Sequence, residues 1–213
     1  MARIKNDIFS GFSGKLGNVV GCKGKNGNYL RMRPEKYRDA KTNGQVQQRS
    51  RFTLANTLLK SFTPLIRIGY KDCGEKRTAF TAAMSFVMNN AILQGEEGYY
   101  IDYRKVKMAQ GTLTTLADAK VEFDNREVKF LWTDNSGQGD ANSEDSVMVL
   151  VYNKTKGMAL YETDKNHRCD QELVLALPDD WDTDEMAIYL AIRNEEKQTV
   201  SNSECLWDSP VKR

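Results

Sequence analysis

Glu127-Val-Lys-Phe-Leu-Trp132 alternates polar and apolar residues, so an extended chain sets Val128, Phe130 and Trp132 on one face. That period of two recurs through the C-terminal half. Leu173, Leu175 and Leu177 share a face, as do Met186, Ile188, Leu190 and Ile192. Further short alternating segments occupy 119–123, 146–152, 157–161 and about 199–206. Turn-rich breaks separate them, notably Thr133-Asp-Asn-Ser-Gly-Gln-Gly-Asp140 and Asn153-Lys-Thr-Lys-Gly157. Seven short strands over roughly 100 residues predict an immunoglobulin-like β-sandwich. Residues 99–108 read as a further strand with a mixed face.

Upstream the period lengthens. Phe52, Ala55, Leu59, Phe62 and Ile66 recur at helical spacing and predict one apolar stripe, with Thr42 or Asn43 as N-cap. Thr63-Pro64 predicts a break and restart, Thr63 capping and Pro64 at the first helical position. A second helix is expected over about 76–93, with Phe80, Ala83, Met84, Val87 and Ala91 on one side. The two would form an antiparallel helical hairpin.

The first 33 residues are different again. Glycines at 11, 14, 17, 21, 24 and 27 make a helix improbable. Val19-Val20 and Tyr29-Leu-Arg-Met32 flank Asn26-Gly27, a dipeptide favoured in two-residue hairpin turns. The expectation is a basic β-hairpin with a Gly-rich leading arm. Two strands alone are marginal in water, so this arm must pack on something. The fold class predicted is therefore α+β, with a basic arm and hairpin over 1–41, a helical region over 42–98 and the sandwich over 99–213.

Charge is distributed as unevenly as structure. The formal net charge is only +2, yet residues 1–77 hold 17 Lys and Arg against 5 Asp and Glu, while residues 111–213 hold 11 against 21. Such a split implies that the two ends meet different things, or each other. The apolar fraction of 40% and charged fraction of 28% are ordinary for a soluble globular chain, and no apolar run is long enough to cross a bilayer. The N-terminus lacks the apolar core of a secretory signal, so synthesis in the cytoplasm is expected. Four cysteines at 22, 73, 169 and 205 form no Cys-x-x-Cys pair. They read as free thiols, with a Cys169–Cys205 bridge left open.

Two resemblances rest on these residues. With Trp132 in the second strand and Tyr189 in the sixth, residues 118–207 resemble a fibronectin type III or immunoglobulin-like domain, a fold that hosts many functions. Met1-Ala-Arg-Ile-Lys-Asn6, Gly11-Phe-Ser-Gly-Lys-Leu-Gly-Asn-Val-Val-Gly21, Tyr29-Leu-Arg-Met-Arg-Pro34, the stretch 45–52 and Trp132-Thr-Asp-Asn-Ser-Gly137 resemble a Bacteroidetes family of unknown function. The hairpin, Arg33-Pro34 and Gln45-Val-Gln-Gln-Arg-Ser-Arg51 are loosely similar to small proteins of phage and prophage gene clusters. Asp39-Ala-Lys-Thr42 departs from the Asn-Pro-Arg-Thr-like lead-in usual there. The resemblance implies no reaction, cofactor or site residue.

Candidate chemistry is sparse. His167 is the single histidine, beside Cys169 in a predicted turn, too little for a triad or a zinc site. Gly11-Phe-Ser-Gly-Lys-Leu16 lacks the spacing and hydroxyl of a phosphate loop. Asp180, Asp182 and Asp184 alternate like calcium ligands, but Glu185 stands where that loop needs glycine. The basic arm carries more: Lys15, Lys23, Lys25, Arg31, Arg33, Lys36, Arg38, Lys41, Arg49 and Arg51, with Phe12 and Tyr29 interleaved. Lys15, Lys23, Lys25, Tyr29, Arg31 and Arg33 are the expected docking residues. They suit an acidic protein surface or, alternatively, phosphates with stacked bases.

The reading is a non-enzymatic structural or assembly protein, virion-associated or encoded by a mobile element, with no cofactor or metal. Its expected partners are copies of itself or other structural proteins, reached through the arm, with no membrane involved and an oligomeric state. The alternative is a cytoplasmic, non-specific nucleic-acid-binding accessory protein. Trp132 and Tyr189 are expected only to hold the core.

Overall fold

A computed structural model describes residues 2–4, 12–24, 27–34, 39–73, 77–96, 98–124, 126–181 and 184–209. The protein is α+β, and its described residues form three α-helices and antiparallel sheets. It divides into two compact units, residues 1–46 with 74–77, and residues 47–73 with 78–213.

The first unit is built on a four-stranded antiparallel sheet in the order β1-β4-β3-β2, with β1 at Ala2–Ile4, β2 at Gly14–Leu16, β3 at Val19–Cys22 and β4 at Asn28–Met32. Strands β3 and β4 fall on the Val19-Val20 and Tyr29-Leu-Arg-Met32 segments, with β2 and β1 beside them. The β2–β3 turn was not expected; there Leu16 lies opposite Val19 across only Gly17-Asn18. Gly17 has φ +55°, the left-handed value that the first position of such a turn requires. Across the next turn, Gly27 N–H donates to Gly24 O at 3.0 Å.

Helix α1, Asn43–Ser61, begins on a reciprocal cap: Gln45 N–H donates to Thr42 Oγ1 (3.4 Å) and Thr42 N–H to Gln45 Oε1 (3.3 Å). Its buried stripe is Ala55, Leu58, Leu59 and then Phe62, whereas Phe52, expected on that stripe, is half exposed. Helix α2, Thr63–Gly69, starts one residue earlier than expected, with Phe62 at the N-cap position and Pro64 second in the helix, so Thr63 does not cap it. Its hydroxyl instead donates back to Leu59 O (3.2 Å) and Lys60 O (2.9 Å). Helix α3, Ala79–Asn90, is capped by Thr78 Oγ1, which accepts from Thr81 N–H at 3.2 Å. Beyond it the chain turns into a hairpin, β5 at Ile92–Gly95 and β6 at Gly98–Ile101, rather than continuing as helix to 93. The strand expected over 99–108 stops at Ile101, and a short 3-10 turn occupies Tyr103–Lys105.

The remaining strands form a sandwich. Strands β7 (Ala117–Asp124), β8 (Glu127–Thr133) and β11 (Glu172–Ala176) pair in the order β11-β8-β7. Facing them are β10 (Met158–Glu162), β9 (Ser146–Asn153), β12 (Met186–Asn194) and β13 (Thr199–Val200), with β14 (Glu204–Asp208) also on β12. Strand β9 is buried at every position, and for a physical reason. Val147, Val149 and Val151 face the three-stranded sheet, while Met148, Leu150 and Tyr152 face the helices. Strand β12 divides likewise, with Ile188, Leu190 and Ile192 on one side and Ala187, Tyr189 and Ala191 on the other. Helices and sandwich thus share one unit, although a separate helical region is what the sequence suggests. Phe62 bridges the layers, packing edge-to-face on Tyr152 (5.2 Å) and Tyr189 (5.8 Å). Trp132 lies in the sheet-to-sheet core, and Tyr189 in the core beneath the helices, its hydroxyl donating to Tyr103 O at 2.8 Å.

Candidate interaction surface

The register of the N-terminal sheet sorts its residues by face. Lys15, Val20 and Arg31 lie in one row across β2, β3 and β4, and Cys22 and Tyr29 form another row on the same face. Lys15 and Arg31 stand two strands apart, about 10 Å by strand spacing, both exposed. Leu16, Val19 and Met32 form a row on the opposite face. There the Phe12 ring lies over Gly21, where a Cβ would stand 2.5 Å from Phe12 Cδ1. One face is therefore cationic with an aromatic residue, and the other is apolar, with Leu16 and Met32 exposed at 61% and 68%.

Lys23 follows β3 and Arg33 follows β4, both exposed, and Arg33 N–H donates to Asn18 O at 2.7 Å. Lys25 lies outside the described residues, as do Lys36 and Arg38. Of the six expected docking residues, the sheet brings Lys15, Tyr29 and Arg31 onto one face. Residues 12–34 contain five cations and no carboxylate, so nothing within the segment neutralises them. Arg51, counted with the arm in the sequence, is instead a structural residue, since its Nη2 donates to Met88 O (2.6 Å) and its guanidinium lies over the Tyr99 ring.

The other sequence candidates resolve into structural contacts. Lys15 sits in a strand rather than in a loop leading to a helix. His167 Nδ1 lies 3.2 Å from Glu144 O, and its backbone N–H donates to Asp170 Oδ2 (2.8 Å). Asp180 pairs with Lys156 (2.7 Å), and Asp184 with Lys156 (3.2 Å) and Asn153 Nδ2 (2.7 Å). Those bonds hold both carboxyls below their usual range, Asp180 chiefly through Lys156 and Asp184 chiefly through Asn153. Asp182 lies outside the described residues, and Trp181 is buried in the sandwich core. The four cysteines are free, and burial, with the Asp208 charge, pushes the Cys205 thiol up to about 11.

Two groups have no counterpart among the sequence candidates. Arg168 is wholly buried at one end of the sandwich, paired with Asp145, and also donates to Thr114 O, Thr115 O, Asn142 O and Asn135 Oδ1. Lys154, nearly buried, pairs with Asp208, donates to Ser209 O (2.7 Å) and lies 4.7 Å from the Tyr103 ring centroid. Neither has a periodic signature, because a buried ion pair joins residues far apart in sequence.

Open clefts are also present among the described residues. One of about 520 Å³ lies beside α3 and is lined by Phe86, Asn89, Asn90, Arg104, Lys105 and Lys107, with Ser203 at its margin. It holds no histidine, cysteine or carboxylate, and Ser203 Oγ already accepts from Met108 N–H and Ala109 N–H. A second, about 330 Å³, is lined by Arg67, Lys71, Arg193, Glu195 and Gln198, with Glu195 bound to Arg193 and Lys71 to Gln198. Among the described residues no three His, Cys, Asp or Glu side chains converge as metal ligands. Among the described residues no helix is long and apolar enough to cross a membrane.

Fold and surface define an α+β protein with a two-faced, basic N-terminal sheet and a β-sandwich lined by helices. The chain belongs to the family of unknown function DUF6266, which it matches over residues 11–207. No curated protein matches it.

Proposed function

We propose that this protein is a non-enzymatic structural or assembly component, virion-associated or encoded by a mobile element, that docks on copies of itself or on other structural proteins through the cationic face of its N-terminal sheet. The observation that carries the reading is the row Lys15–Val20–Arg31, two exposed cations held in register by three paired strands in a segment without carboxylates. A surface of fixed, unneutralised positive charge suits an acidic partner, and residues 111–213 of another copy supply one. We read the sandwich as immunoglobulin-like, β7, β8 and β11 forming one sheet against β10, β9, β12 and a terminal strand split into β13 and β14. In that role it is a spacer that presents the sheet. The clefts offer no paired acid and base, which favours a binding role over catalysis.

A second reading has its own support. Tyr29 shares the face of Lys15 and Arg31, one row along, and an aromatic residue beside cations on a sheet is an arrangement on which single-stranded nucleic acid stacks. Size measurement by light scattering at low and high salt, with and without DNA, separates the two. Self-association without DNA that weakens in salt supports assembly, whereas a shift only with DNA supports the accessory role. A monomer under all four conditions overturns both.

A further inference from the structure

We propose that copies of this chain join head to tail by strand addition, edge strand β2 of one copy pairing with edge strand β10 of the next. This rests on the assembly reading and names its contact.

The donor edge follows from the turn. A two-residue loop makes Leu16 and Val19 the pair that exchanges both backbone hydrogen bonds, so Lys15, next along β2, turns its N–H and C=O outward. Strand β2 is the last of its sheet and is exposed throughout. It therefore offers a free backbone rung, flanked by the Lys15 cation and the exposed Leu16.

The acceptor edge follows from comparing the sandwich's margins. Strand β7 is guarded by Asp118, Lys120, Glu122 and Asp124 and by an irregularity between Ala117 and Lys120. Phe123 of β7 packs edge-to-face on Trp207 of β14 at 5.2 Å, which closes that side. The free edges are then β10 and β11. Strand β10 runs Met158-Ala-Leu-Tyr-Glu162 without proline and with its one charge at the last position, and Met158 is 57% and Tyr161 42% exposed. Strand β11 offers one comparable side chain, Val174. An apolar edge with a charge only at its end is open to pairing with another strand unless something covers it.

Charge selects the occupant. Residues 158–180 hold six carboxylates, at 162, 164, 170, 172, 179 and 180, against Lys165 and Arg168. Arg168 is wholly buried against Asp145, and Glu162, Asp164, Asp179 and Asp180 pair with Lys165, Arg193, Arg126 and Lys156, so the acidic excess in this segment is carried by Asp170 and Glu172. The segment 12–34 is its complement, with five cations, no carboxylate, and exposed Leu16 and Met32 on one face to cover Met158, Tyr161 lying on the other face of β10. Donor and acceptor are different strands, so the contact is heterologous and propagates into a ring or a filament.

The test uses full-length chains in sedimentation velocity, at concentrations up to several hundred micromolar because a contact below about 1,200 Å² is of the weak class. Wild type is expected to form species larger than monomer. Lys15→Pro removes the outward N–H of the donor, and Met158→Lys with Tyr161→Lys guards the acceptor. Each variant alone should be monomeric, while a 1:1 mixture of the two should form a dimer and nothing larger, because one intact donor meets one intact acceptor. Should circular dichroism show Lys15→Pro to be misfolded, Lys15→Glu takes its place. Wild-type-like association of both variants overturns this contact and leaves the assembly reading standing, and so does a mixture that stays monomeric while wild type associates. A wild type that is monomeric at every concentration overturns both.

Discussion

Arg168 Nη2 stands 3.0 Å from Asp145 Oδ2, and neither side chain reaches water. The other Asp145 oxygen accepts from Asn194 Nδ2 at 2.6 Å, and Trp132 Nε1 donates to Arg168 O at 2.7 Å. One guanidinium thus ties the 113–116 segment, the 133–145 loop and β12 into a single end of the sandwich. Removing one partner strands the other charge in a dry interior, so Arg168→Met and Asp145→Asn should each cost about 3–5 kcal/mol in urea unfolding. The double variant should cost less than the sum of the two, the signature of a shared network. Additive costs would mean that the pair is not coupled.

Close backbone approaches make a second prediction. A Cβ on Gly111 would stand 2.0 Å from Val200 O, and one on Gly69 would stand 2.4 Å from Met108 O. Both obstacles are backbone and cannot swing aside. Gly111→Ala and Gly69→Ala should therefore each destabilise by about 1–3 kcal/mol, as overpacked cores do. Gly44, in the first turn of α1, has nothing within 4 Å of such a Cβ. There alanine should stabilise by up to about 1 kcal/mol, since glycine is a poor helix former. Thermal melts of the three variants check the contrast, and equal shifts would contradict it.

These contacts mark where sequence stops informing. The alternation of Val128, Phe130 and Trp132, and the cap at Thr42, are local, and local patterns survive into the structure. Strand β9 reads as eight buried residues because helices cover its second face, a fact that no window of sequence contains. The β5–β6 hairpin is hidden because Ile92 and Leu93 continue the apolar run of α3. At the candidate surface, the cations are legible from composition and the shared face of Lys15 and Arg31 is not. That face depends on a register set by the Gly17-Asn18 turn, a weaker turn signal than the neighbouring Asn26-Gly27.

Acid should unfold the protein through its bonded carboxylates. Asp140 is held below the usual range by Thr114, whose hydroxyl and N–H both donate to it, and Glu162 chiefly by Lys165. Asp134 is lowered by Ser136 and Asp184 by Asn153. A carboxyl with a depressed pKa in the fold takes up its proton more readily once unfolded, so its stabilisation is present above the unfolded value, near 4, and is lost as pH falls through the folded one. Stability should be flat from pH 7 to about 5 and decline below about 4. Asp140→Asn should remove part of that decline. A stability curve that falls already between pH 7 and 6 would point to another group.

The cationic face should act through charge alone, without supporting the fold. Lys15 and Arg31 flank Val20 and are exposed, and neither has an ion pair among the described residues. Their replacement leaves no buried group unpaired, so Lys15→Glu with Arg31→Glu should alter stability by no more than about 0.5 kcal/mol, the usual range for surface substitutions. The same double variant places like charge against an acidic partner, and self-association at low salt should fall at least tenfold. In wild type, rising salt should weaken association, since exposed charges are screened over about 8 Å at physiological ionic strength. In the variant that salt dependence should vanish or reverse. If instead the double variant associates as wild type does and loses salt sensitivity nowhere, the sheet's cations are not the docking element, and the apolar row Leu16–Val19–Met32 becomes the surface to substitute next.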